Sequence, residues 1–238
     1  MIAEAIDKIL DIARPTEIVV RGEHYSTIPL TRMQKDLRAE PLEVATLTSL
    51  VRYIKEFNEN LKDTPLLVRV VSPTRVELTT ALDGDRKREI LMIVHAELPR
   101  IPFGSYIDNE KMLITVQSMF IDDPDTDRAA VLKFAGTVTT GSIKEYGDDG
   151  ITQTATIKSG VASKTTAIVP SPCVLRPFRT FPEVEQPASK FIFRMRDDGD
   201  EVKAALFEAD GGAWQNEARE NIRKYLEEQV GIAATVIS

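Results

Sequence analysis

The chain has 238 residues, 42% of them hydrophobic and 28% charged, with a formal net charge of -7 at pH 7. That length and apolar share supply a substantial core, in one large domain or two small ones, and exclude wholesale disorder. The acidic balance argues against duplex nucleic acid or an anionic membrane as the default partner. A single cysteine, Cys173, rules out an intrachain disulfide.

In chain order, Ile2, Ile6, Ile9, Leu10 and Ala13 recur at helical spacing, and Pro15 ends the run. Glu4 and Asp7 interrupt it, so the segment reads as an amphipathic helix and not as a signal peptide. Glu17 to Val20 follows as a short strand leading into a polar loop. Thr46 is placed to cap a second helix, with Leu47, Leu50, Val51, Ile54 and Phe57 on one apolar stripe. Asn58 to Thr64 reads as a solvated loop. From Pro65 the period changes to two: strands at 66–71 and 75–80 flank a Ser72-Pro73-Thr74 turn, and a third runs from Ile90 to Glu97. These strands most simply pair antiparallel, with the preceding helix over one face.

Farther on, Lys111 to Phe120 reads as a strand, although its apolar residues also permit a short helix. Asp127 is placed to cap a helix from Arg128 to Phe134. Four β-prone segments follow, at 137–144, 152–158, 164–169 and 191–195, and the last is expected to pair with Val202 to Glu208 across an Asp197–Asp200 turn. Five prolines between Pro170 and Pro187 demote that stretch to an extended edge or a crossing connection. Trp214 to Val230 is helical and Gly231 ends it. The expected fold is α+β, with a largely antiparallel mixed sheet, a helix in the N-terminal half and a packed C-terminal helix. A boundary near Leu98 to Gly104 would give lobes at 1–98 and 99–238, unless the chain is one continuous domain.

Few residues offer chemistry. Cys173 with His24 or His95 is a formal nucleophile pair, but a half-buried structural thiol is the simpler reading, and ligand spacings for zinc are missing. Asp122, Asp123, Asp125 and Asp127 resemble a calcium loop superficially, yet the glycine and closing glutamate of an EF-hand are not there. Asp83-Gly84-Asp85 and Asp148-Asp149-Gly150 read as turns. The glycines do not form a phosphate-cradling motif, so neither a cofactor nor a metal is expected.

Two binding candidates remain. Arg176, Arg179, Arg194 and Arg196 are interleaved with phenylalanines, a composition that can stack on bases and pair with phosphates. The competing account makes the phenylalanines core and pairs the arginines with Glu183, Glu185 and Glu208. Asp210-Gly211-Gly212-Ala213-Trp214 is the second candidate: its two glycines permit positive φ or a close approach, and Asp210 can cap the next helix.

The order TLTSLVRYIKEF, LLVRVVSPTRVELTTAL, LRPFRTF, FIFRMR, an acidic hairpin, a last strand and a closing helix resembles the YfdQ-like family of phage and prophage proteins over roughly residues 42–228. DDGITQTATIKSG and ALFEADGGAW are similar to segments of phage proteins from Gram-positive hosts. The resemblance implies a phage context inside a bacterial cell and supplies no functional residues to carry over. The expected function is binding without catalysis: self-assembly into a homo-oligomer through exposed edges of the proline-rich region and the Gly-Gly junction, or capture of a host protein or nucleotide-like ligand. Alternatives are a single-stranded nucleic-acid accessory protein using the arginines, and a metal-dependent enzyme built on the aspartates. The expected location is the cytoplasm, without membrane attachment.

Overall fold

A computed structural model describes residues 2–27, 38–57, 59, 61, 64–140, 142–148, 153–159, 163–168, 171–197 and 201–238. The chain divides into two compact units, Met1–Ala39 and Glu40–Ser238. The first contains α1 (Ile2–Ala13), then β1 (Glu17–Val20) and β2 (Glu23–Ser26), paired antiparallel. β2 lies where a polar loop was expected. Val20 opposes Glu23, so Arg21 and Gly22 form a two-residue turn, and both have positive φ (55° and 83°). That geometry matches strand twist and favours glycine at the second position. Ile2, Ile6, Ile9, Leu10 and Ile12 of α1 remain exposed.

The second unit opens with β3 (Leu42–Val44) and α2 (Leu47–Arg52). Thr46 caps α2 as expected, its hydroxyl accepting from the Ser49 amide at 3.2 Å. The helix then widens into a π-helical turn, Tyr53–Phe57. That extra residue per turn rotates the stripe: Ile54 stays buried, whereas Phe57, expected on the same face, is exposed. β4 (Leu66–Ser72), β5 (Arg75–Thr80) and β6 (Ile90–His95) form the predicted antiparallel meander. Of the loop expected at 58–64, residues 58, 60, 62 and 63 lie outside the described ones.

β7 (Ile107–Asp108) leads into α3 (Asn109–Met119), which replaces the strand expected from Lys111. Met112, Thr115, Val116 and Phe120 are buried together at helical spacing. Burial of that stripe overrides the β-propensity of Ile114, Thr115 and Val116. Asn109 ties α3 to the next helix, its amide donating to the Ala135 carbonyl at 2.8 Å. That helix, α4 (Arg128–Thr140), runs through 137–140, where strand was expected. Val131, Phe134 and Ala135 anchor it in the core, and the Thr137 hydroxyl donates back to Lys133 O at 2.6 Å.

β8 (Ser142–Asp148), β9 (Gln153–Ser159) and β10 (Ser163–Ile168) form their own antiparallel sheet. β11 (Cys173–Leu175), β12 (Ser189–Asp197) and β13 (Val202–Glu208) follow, then α5 (Trp214–Val230) and β14 (Thr235–Ile237). β12 and β13 pair antiparallel up to Asp197 and Val202; residues 198–200 of the expected turn lie outside the described ones.

Two larger sheets organise this unit. One has the order β14-β4-β5-β6-β3, with the two edge strands parallel to their neighbours, and the other the order β11-β12-β13-β7. The fold is α+β with antiparallel-rich mixed sheets. Each sheet carries a core. α2 and α5 cover the first: Leu47, Leu50 and Ile54 meet Val68, Val76, Leu78, Ile222 and Leu226. On that sheet's other face, Glu77 is buried between Arg69 (2.5 Å) and Arg75 (2.7 Å). α3 and α4 cover the second, where Met112, Val116 and Phe134 meet Leu175, Phe191 and Phe193. Residues on both sides of 98–104 build the first core. No described helix is long and apolar enough to cross a membrane.

Because Ile222 is fully buried between α5 and the first sheet, Ile222→Ala is expected to cost about 2–5 kcal/mol, measured by urea unfolding.

Candidate functional site

The residues from Arg176 to Ala188 lack regular structure and connect the two cores. Leu175 at the start belongs to the second, whereas Phe181 and Val184 lie in the first. A folded-back segment of this kind must satisfy its backbone without a ladder, and Gln186 does so from within. Its side-chain oxygen accepts from the Arg179 and Thr180 amides at 3.0 and 3.1 Å, and its NH2 donates to Phe181 O at 2.9 Å. The Thr180 hydroxyl donates to Pro73 O at 2.6 Å, tying the segment to the β4–β5 turn.

Arg179 sits at the centre, 7% exposed. Its guanidinium donates to Glu208 at 2.6 Å and to the Ser189 hydroxyl, and it lies 4.0 Å from Asp210. It also covers the Trp214 ring, 4.0 Å from the centroid, and approaches Phe191 at 5.5 Å. Burial pushes the guanidinium down to about 10 against the opposing pull of Glu208 and Asp210, so it remains a cation at neutral pH.

Asp210 follows β13 in a turn of two glycines, Gly211 (φ 64°) and Gly212 (φ 82°). A side chain at either position is strained, which explains the glycine pair. The turn folds back so that Asp210 accepts from the Gly212 amide at 2.9 Å, and the Trp214 amide and the Ser189 hydroxyl favour its ionised form. Burial raises its pKa, but these donors and Arg179 outweigh burial and hold the carboxyl below its ordinary value. Asp210 thus braces the glycine turn ahead of α5, while the N-cap position that the sequence offered to it is held by Ala213.

Between this turn, the first turn of α5 and the start of β12 lies a cleft of about 490 Å³, within the range of small-molecule sites. Trp214 forms one wall; Ala188, Ala209 and Ala213 leave the space open, and Lys190 and Glu217 stand at its margins. Among the described residues a second cleft, of about 410 Å³, is lined within the first unit by Glu17, His24 and Tyr25. Its Glu17–His24 contact is two-thirds exposed on both sides and therefore weak.

The structure separates the arginines that the sequence grouped. Arg176 pairs with Asp123 at 3.1 Å and Glu185 at 3.3 Å. Arg194 is half-buried opposite Ala205, and Arg196 covers the Tyr106 ring at 4.2 Å. Phe181, Phe191 and Phe193 are core residues. Only Arg179, Asp210, Gly211, Gly212 and Trp214 come together at the cleft. Ser189, Lys190 and Glu217 join them, and sequence reasoning missed all three. Their one signal was period: Lys190 faces outward on β12, and Glu217 lies three residues past Trp214 on a helix.

The other candidates have structural work. The Cys173 thiol is fully buried, pushed up to about 12 by burial and by Asp127, and unsuited to nucleophilic attack. Asp122 pairs with Arg128 at 2.8 Å, Asp123 accepts from the Asp125 amide at 2.9 Å, and Asp127 accepts from the Val174 amide at 2.7 Å. Asp127 also donates its own amide to Val174 O at 2.8 Å. The β11 edge, expected to be open, is therefore covered. Asp83 closes a turn with Lys87; Asp149 and Gly150 lie outside the described residues. Compared with known protein families, curated proteins and solved structures, the chain matches none.

The depressed Asp210 pKa fixes a sign for pH dependence. Its stabilising contribution is fully present above its unfolded pKa, about 3.9, and is lost as pH falls through the lower folded value. Asp210→Asn is expected to lower stability by about 1–3 kcal/mol at pH 7, with the gap to the wild type closing below about pH 4, followed by urea unfolding across pH.

Proposed function

We propose that the protein acts by binding a small ligand in the Trp214 cleft and not by catalysis. One observation carries this reading: an indole wall, three alanines and two charged side chains without an ion pair among the described residues surround an open space backed by the buried Arg179–Glu208–Asp210 cluster. Such preorganisation lowers the cost of binding. The Ser189 hydroxyl, which lines the cleft beside Asp210, accepts from the buried Arg179 guanidinium and is held in that cluster. The resemblance to phage and prophage proteins supports an accessory role in the cytoplasm of a bacterial host. Nucleic-acid binding by the arginine ribbon has less support, because Phe181, Phe191 and Phe193 are buried and Arg176 and Arg179 are already paired.

Trp214 is the only tryptophan of the chain, so its emission reports on the cleft directly. A panel of nucleoside monophosphates, amino acids, dipeptides and sugar phosphates is expected to contain a ligand that shifts this emission and raises the melting temperature. Ala209→Phe, which fills the cleft, is expected to abolish both effects. Silence across the panel would overturn the reading.

A second reading, self-association, rests on α1. Its five exposed apolar side chains and the hairpin's Ile18, Val20 and Tyr25, which share one face of the hairpin, present roughly 500–800 Å² of apolar surface at about 60–100 Å² each. A stable protein interface takes about 800 Å² per partner, which suits a second copy of the same unit. Glu4, Asp7 and Asp11 outnumber Lys8 on the polar side, which disfavours an anionic membrane. Light scattering is expected to find a dimer or larger species that Ile6→Glu with Ile9→Glu dissociates; a wild-type monomer at high concentration sinks it.

A further inference from the structure

We infer that the Trp214 cleft takes a small zwitterion, a free amino acid or a short peptide. Its ammonium meets Glu217, its carboxylate meets Lys190, and its apolar or aromatic side chain lies against Trp214. This inference rests on the reading of the cleft as a binding site and adds the chemical class of its ligand.

The assignment follows from which charges are spent. Arg179 is neutralised by Glu208 and Asp210, and Asp210 is further occupied by backbone amides and Ser189. Lys190 and Glu217 also line the cleft, and neither side chain forms an ion pair or hydrogen bond among the described residues. They belong to different walls, Lys190 to β12 and Glu217 to α5 one turn beyond Trp214. The cleft therefore offers one cation and one anion without a hydrogen bond among the described residues, Glu217 sharing only the longer-range field of Arg179, on either side of the three alanines.

Other ligand classes fit worse. Around the cleft Arg179 and Lys190 face Glu208, Asp210 and Glu217, a local excess of one negative charge that repels a phosphate dianion. A simple cation over the indole meets Arg179 already stacked on Trp214, and the ring quadrupole that would attract it is engaged. A ligand with both charges and a neutral body answers every feature. Ala188, Ala209 and Ala213 leave room for that body, and its apolar surface gains from covering the indole.

The test titrates Trp214 emission of the full chain with phenylalanine, leucine, Ala-Phe and Phe-Ala, and with N-acetyl-phenylalanine and phenylalanine amide. A free amino acid is distinguished from a peptide by which binds more tightly. Blocking either charge is expected to weaken binding tenfold or more, as loss of one charged hydrogen bond does. Glu217→Gln is expected to remove the discrimination against the N-acetyl form, and Lys190→Gln that against the amide. Both positions are exposed, so melting temperatures should match the wild type. If the blocked forms bind as tightly as the zwitterions, or if nucleoside monophosphates alone bind, the inference is overturned while the binding reading stands. If nothing in either panel binds, both fall.

Discussion

One buried cation holds the second unit together. Arg179 takes a guanidinium out of water at a point where the crossing segment, the β12–β13 sheet and α5 converge. Desolvating such a group costs several kcal/mol, and the cost is met only because Glu208, Asp210, Ser189 and the Trp214 face all arrive together. Ser189 opens β12, whereas Glu208, Asp210 and Trp214 follow one another from the end of β13 through the glycine turn to the start of α5. The requirement works as a geometric lock: a shift of α5, of the glycine turn or of the crossing segment would strand a charge. Hydrophobic burial supplies most of the stability of both cores, but it is indifferent to small sliding movements. The arginine cluster is not.

The same lock gives the cleft its rigidity. Trp214 opens α5 and is held from behind by Arg179, while Asp210 fastens the preceding turn. The walls are thus fixed by groups that do not themselves face a ligand with free valence. What remains available, Lys190 and Glu217, belongs to the surface and is free to move. A rigid aromatic wall with adaptable charged margins is a sensible division of labour for recognition.

Much of the fold was legible because it is written in local chemistry. Thr46 before Leu47 signalled a capped helix, alternation at Val68, Val70, Val76 and Leu78 signalled strands, and Gly231 marked the end of α5. The failures came where packing overrode propensity. Ile114, Thr115 and Val116 favour strand, yet Met112, Val116 and Phe120 share a helical face against Phe191. Thr137 to Thr140 extend α4 for a related reason, since Phe134 and Ala135 anchor the turn before them. Phe57 left its stripe because a π turn, which no residue announces, added one position. At the site, the Asp-Gly-Gly-Ala-Trp junction stood out by composition. Glu208 was among the expected partners of the arginines, but the burial of Arg179 against Trp214 was not legible, because it takes the folded sheet and helix to bring them together. Nor was the placing of Lys190 and Glu217 on one cleft legible, which only the folded sheet and helix create.

The contact from Thr180 to Pro73 spans 107 residues, and it has a temporal meaning. The meander of β4, β5 and β6 leaves the ribosome early, but Phe181, Val184, Ile222 and Leu226 that complete its core, and β14 that closes its edge, come much later. Domains fold as units during synthesis, and closing so long a loop is slow. For most of its time on the ribosome the first sheet therefore has an apolar face covered by α2 alone and an unpaired β4 edge. In that state the chain carries apolar surface and a bare strand edge open to wrong contacts, and both are closed only when α5 and β14 arrive.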